Sequence, residues 1–248
     1  MNFPACRHAL HVYRSTEHLA RHVAAFAQAG LDRGEPVILV PSREHREPLL
    51  AELRRRGVDV DALIADGRLM MCDADFNAEK CLAASSVDEL WDCFLEAMAG
   101  LRARGFHRIT IWGETPDVLR LAGRRDLFLD LENKWVGATR GDDIDLLCSF
   151  RADLLDPRIY AQALPDACAT HTHVVETEDA PRLETADEDL EKALGLRNYQ
   201  MLASLAEQTP VSRAAMPRPL RRMLWVAQHL PSTARRALEA ARARFPLP

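Results

Sequence analysis

The chain has 248 residues, 48% hydrophobic and 28% charged, ordinary values for one sizeable α/β core with a short appendage. A formal net charge of −5 gives the chain as a whole no electrostatic footprint for nucleic acid or anionic lipid. No stretch approaches the roughly 18 apolar residues of a membrane span. The start MNFPACRHALHVYR lacks the basic and apolar regions of a secretory leader, so the expectation is a cytoplasmic protein with no membrane partner.

Strand and helix patterns alternate along the chain. His8 to Tyr13 reads as a short strand. Ser15 or Thr16 caps a helix whose apolar stripe is Leu19, Val23, Phe26 and Ala27, with Gly30 as its stop. Pro36 to Val40 is a continuous apolar run, as in a parallel strand buried on both faces. A helix is expected from Pro48 to Arg56, closed by three arginines and Gly57. Arg68 to Asp73 is the next strand, followed by a loop from Ala74 to Ser86. Ser86 and Glu89 then form a capping box for a helix burying Val87, Leu90, Trp91, Phe94, Leu95, Met98 and Leu101. Ile109 to Trp112 is a strand, Thr115-Pro116 opens a helix, and another helix runs from about Asp126 to Thr139. Asp145 to Phe150 is a strand, Asp156-Pro157 starts a helix, and His171 to Val175 is a last short strand. Strands separated by helices predict an α/β fold: a mostly parallel sheet with helices on both faces, plus a C-terminal helical extension. Residues 1–175 form the α/β domain. Residues 176–189, acidic and containing Pro181, read as a linker, and residues 190–248 as the helical extension. From Arg213 onward eight arginines face one acid, Glu239. Without a helix-turn-helix pattern or an aromatic platform, this basic tail reads as docking on a protein partner or on the acidic linker rather than on nucleic acid.

Ligands of such sheets bind at the carboxyl ends of strands, which makes strand-exit residues the candidates. Tyr13-Arg14-Ser15-Thr16-Glu17, where a phosphate loop would sit, has neither glycines nor a Lys-Ser/Thr pair, which argues against nucleotide hydrolysis. None of the six cysteines forms a Cys-x-x-Cys pair; Cys72 and Cys148 read as packing residues rather than nucleophiles. His18 and His22 are four apart on a helix but lack further ligands at a matching spacing, so they read as a solvated face; His171 and His173 alone are a weak signal. Spacing therefore assigns no metal site. No Gly-x-Ser-x-Gly elbow is present. Glu114 leaves the strand through Gly113 at a crevice position; its alternative role is to cap the following helix. Glu132 is either a site residue or a solvated helix residue.

His8-Ala-Leu-His-Val-Tyr13, the run from Phe26 through Gly30 and Gly34-Glu35-Pro36-Val37, Gly57-Val-Asp59-Val60 and Gly67-Arg68-Leu69 resemble the MEDS domain. Gly113-Glu114, Leu131-Glu132-Asn133, Leu146-Leu147-Cys148 and His171 continue that resemblance in order over about residues 6 to 175. Thr115-Pro116-Asp117 departs from it, since an aromatic is usual shortly after Gly-Glu. This is the sensory domain of methanogen and methylotroph regulators, typified by the dichloromethane-responsive repressor. The resemblance implies a RecA/KaiC-like core without a phosphate loop, a small-molecule ligand related to simple hydrocarbons, and signalling to a histidine kinase or transcription regulator. By motif match it implies His8, Tyr13, Glu114, Glu132 and His171 as ligand-site residues, to which the strand-exit argument adds Trp112. The leading expectation is a sensory module, possible as a homo-oligomer and with no cofactor identified. The alternatives are a degenerate nucleotide binder or enzyme using Glu114, and a scaffold that binds no small molecule.

Overall fold

The computed structural model describes residues 7–141, 143–175, 177–208 and 214–245. Cys6 and Arg213 lie outside the described residues. The chain divides into two compact units, residues 1–9 with 15–150 and residues 10–14 with 151–248.

The strands are β1 (His8–Tyr13), β2 (Val37–Val40), β3 (Leu69–Met71), β4 (Ile109–Gly113), β5 (Ile144–Arg151) and β6 (His173–Val174). They form one parallel sheet in the order β3-β2-β4-β5-β1-β6, so the α/β class holds. The register pairs Val40 with Gly113 and Gly113 with Cys148, which aligns the carboxyl ends of β2 and β4 beside Cys148 of β5, a strand that continues to Arg151. Every residue of β1 and β2 is buried, as the continuous apolar run in β2 requires.

The first unit carries α1 (Thr16–Asp32), α2 (Arg43–Arg55), α3 (Val60–Ala65), α4 (Ala74–Ala84), α5 (Asp88–Ala103), α6 (Thr115–Leu121) and α7 (Arg125–Ala138). Ser15 caps α1 by accepting from the His18 amide, and Leu19, Val23, Phe26 and Ala27 are buried, as the stripe predicts. Gly30 does not stop α1. It lies inside the helix where a Cβ would come within 2.4 Å of Thr110 Oγ1, so it is the contact that lets α1 approach β4. The expected loop Ala74 to Ser86 is mostly helix α4: Asp73 accepts from the Phe76 amide as its cap, and Ala74, Ala78 and Cys81 are buried. The Ser86 capping box does not form. Ser86 instead bonds Asp88, and α5 starts after Val87. Leu95 is 43% exposed rather than on the buried face, which is Phe94, Met98 and Leu101.

At the amino ends of β4 and β5, Glu35 and Asp145 are buried beneath Arg33 and Arg108. Burial pushes the Glu35 carboxyl up, but hydrogen bonds from Arg33 and Thr110 and the two guanidinium charges bring it below its ordinary value. This network ties the end of the sheet opposite the crevice.

The second unit contains a 3₁₀ turn (Pro157–Ala161), α8 (Ala163–Thr170), α9 (Ala180–Leu194), α10 (Leu196–Gln208), α11 (Arg218–His229) and α12 (Pro231–Arg244). The acidic stretch read as a linker is helical from Ala180, because Leu183, Ala186 and Leu190 supply one buried face. Asp187 and Asp189 of α9 receive Arg222 and Arg244 of the basic tail, and Arg242 lies 3.6 Å from Asp153. Among the described residues, no helix is long and apolar enough to cross a membrane.

Candidate functional site

The chain leaves β2 toward β3 and leaves β4 toward β5, on opposite sides of the adjacent β2–β4 pair. Such a switch point opens a crevice outside the strand ends. Glu114 follows β4 and stands at the N-cap position of α6, yet its side chain does not cap the helix. It turns to the residues that follow β2. One oxygen accepts from the Ser42 amide at 2.8 Å, and the carboxylate lies 2.8 and 3.0 Å from His45 Nδ1. Glu114 and His45 are both 3% exposed. Ser42 and His45 are strand-exit residues that the same rule selects once the crevice is placed between β2 and β4.

Ser, His and Glu in contact invite comparison with a nucleophile relay, and the geometry rules that arrangement out. The Ser42 hydroxyl is 2.8 Å from Nδ1, the same nitrogen that meets Glu114. A carboxylate only accepts, so Nδ1 carries the proton and cannot also take one from Ser42. A relay needs the two ring nitrogens to work in opposite directions. The trio is a brace that holds the N-terminus of α2 against the end of β4.

Val40, Ile111, Gly113, Leu146, Cys148 and Trp135 are among the lining of a cavity of about 10 Å³ at these strand ends. That is room for about one water. Trp135 meets Trp91 edge-on at 5.0 Å and Phe94 at 5.2 Å, so aromatic rings from α5 and α7 close this space. Trp112 is fully buried, and its indole N–H donates to Ser149 at 2.8 Å. A groove between α4 and α5, lined by Phe76, Lys80, Cys81, Leu90 and Cys93, holds about 130 Å³ away from the strand exits.

His8 and Glu132 are brought together. Nε2 of His8 lies 3.2 Å from Glu132 Oε2 and 3.5 Å from Cys148 Sγ, and all three residues are buried. Glu132 is therefore not solvated: it faces inward from α7 beside Leu131 and Trp135. From sequence Cys148 reads as a packing residue, and no short spacing links it to the other two, which sit on β1 and α7. His22 is also buried, contrary to the solvated-face reading. It stacks on His18 at 5.7 Å, and burial together with that neighbour lowers its pKa to about 4.

In the second unit Tyr13 is buried and stacks on His11 at 6.0 Å. His171 closes α8, with Nδ1 2.6 Å from the Ala167 carbonyl and 3.1 Å from the Thr170 hydroxyl. Burial raises the Cys168 thiol to about 12, which makes it inert. Among the described residues the cysteines form no disulfide.

The class the structure defines is a parallel α/β sheet with buried polar side chains, Glu114 and His45 among them, gathered at its strand exits. The sequence model of the MEDS family, described as the methanogen/methylotroph, DcmR sensory domain, matches residues 7–172. The chain belongs to this family of sensory domains. No curated protein matches the chain.

Proposed function

We propose that this chain is a sensory module that receives a small, largely apolar molecule at the carboxyl ends of β2 and β4, beside Leu146 and Cys148 of β5, and passes its occupancy to a protein partner. The observation that carries this reading is the small apolar cavity of about 10 Å³ at the switch point, flanked by the Glu114–His45 brace. A ligand excluded from the closed state and admitted by an open one has the differential affinity that signalling requires. The Trp135 and Phe94 rings are the side chains that must give way. The apolar lining and the family's sensory role both favour a one- or two-carbon hydrocarbon derivative as ligand, and a histidine kinase or transcription regulator as partner.

Gly113 makes the test clean. A Cβ there would lie 3.5 Å from Val40 Cβ, an ordinary contact, so Gly113→Ala fills the cavity without disturbing the fold. Thermal denaturation is followed with methanol, dichloromethane and xenon as probes. At least one probe raises the wild-type melting temperature, and Gly113→Ala, itself as stable as wild type, loses that rise. A rise that survives in Gly113→Ala moves the site to the α4–α5 groove. No rise with any probe returns the domain to a scaffold role.

A further inference from the structure

We infer that His8, Glu132 and Cys148 form a binding site for one divalent metal ion of the zinc class. The three donors come from β1, α7 and β5, and their ligand atoms all lie within 4.8 Å of one another. Each residue is at most 4% exposed. The two spacings from His8 match edges of a coordination tetrahedron. Zn–N and Zn–O bonds of about 2.0–2.1 Å and a Zn–S bond of about 2.3 Å give tetrahedral edges of roughly 3.3 Å between N and O and roughly 3.5 Å between N and S. The observed edges at His8 Nε2 are 3.2 Å to Glu132 Oε2 and 3.5 Å to Cys148 Sγ.

The donor set selects the ion. Imidazole and thiolate beside one carboxylate suit zinc and its borderline-soft neighbours, whereas magnesium and calcium ask for oxygen alone. Charge favours occupancy as well. A dication with one carboxylate and one thiolate sums to zero, so the metal removes the cost of an anion buried at this depth. On binding, the Cys148 S–H bond breaks, its proton goes to solvent, and a metal–sulfur bond forms. His8 binds through Nε2, whose proton transfers to Nδ1. The main rival is a buried His8–Glu132 ion pair with a thiol that merely packs beside it. Metal uptake is independent of the small-molecule reading, because it is measured with no other ligand present.

The experiment uses the full chain, stripped with a chelator and titrated with Co²⁺. The expected result is one Co²⁺ per chain, a near-ultraviolet thiolate-to-cobalt band, and displacement of that band by Zn²⁺. Cys148→Ser removes the band, while Cys93→Ser, at an exposed thiol, keeps it. Glu132→Gln keeps the thiolate and needs about tenfold more cobalt or higher, since even outer-shell losses cost that much. Absence of stoichiometric uptake, or a band that survives Cys148→Ser, overturns the site. If Cys148→Ser does not fold, Glu132→Gln decides alone, and an unchanged cobalt affinity overturns it equally.

Discussion

His22 shows how one buried side chain sets a pH limit. Its pKa is about 4 in the folded chain, against 6.5 when unfolded, because burial and the adjacent His18 disfavour its charged form. Between these values the unfolded chain holds a proton that the folded chain does not. Its contribution is therefore complete above about pH 6.5 and is lost as the pH falls toward 4, up to about 3 kcal/mol in all. The expected outcome is that His22→Gln flattens the pH dependence of the urea midpoint across this window. Parallel curves for the two proteins would reject the assignment. The position of Glu114 follows from a strand end that the sequence shows, whereas Ser42 and His45 follow only once the β2–β4 switch point is placed. The partnership of His8 with Cys148 does not, because 140 residues separate them and only the β1 and β5 strands bring them together.

At the scale of elements, Asp179 is the residue on which α9 turns. It is 1% exposed, accepts from the Leu154 amide at 3.0 Å and from Arg182 at 2.6 Å, and lies 3.6 Å from Arg14. Asp179→Ala leaves a buried amide and a buried guanidinium short of a partner, and the expected cost is about 3 kcal/mol in urea unfolding. Asp179→Asn, which keeps an acceptor for the amide, costs less; equal losses would show that the charge is irrelevant. The sequence displays α1, β2, β4 and β5 through uninterrupted stripes or runs. It hides α4 and α9, whose buried faces rest on alanines and widely spaced leucines among charged residues. Gly30 illustrates a second ambiguity: a glycine near a helix end signals a stop or a close contact, and only Thr110 across the gap distinguishes them.

At the scale of the whole molecule, the family match ends at residue 172, while the second unit runs to the end of the chain. Within that unit α11 and α12 pack on the 3₁₀ turn, and Leu154, Leu155 and Tyr160 are buried. The Thr177 hydroxyl donates to the Val12 carbonyl at 2.8 Å, and the Arg14 amide donates to Glu178 at 2.6 Å. A chain ending at residue 175 loses these bonds and uncovers that apolar surface. It is expected to bind a hydrophobic dye and to melt well below the full chain, because exposed core of this kind is an aggregation hazard. A short chain as dye-silent and monodisperse as the full one would show the tail to be dispensable. Arg222 and Arg244 of the tail thus have partners inside their own unit, in Asp187 and Asp189.

The aromatic closure of the cavity has an optical consequence. Trp135 lines the space at the strand ends and touches Trp91, while Trp112 lies buried on β4 with its indole hydrogen-bonded to Ser149. Any guest that parts those rings changes the polarity and the ring–ring coupling that set their emission. A cobalt ion beside Cys148 quenches the same fluorophores by energy transfer. The domain therefore carries a native fluorescence gauge of its own interior, and one emission spectrum with Trp135→Phe as its blank separates the arrival of a small molecule from the arrival of a metal.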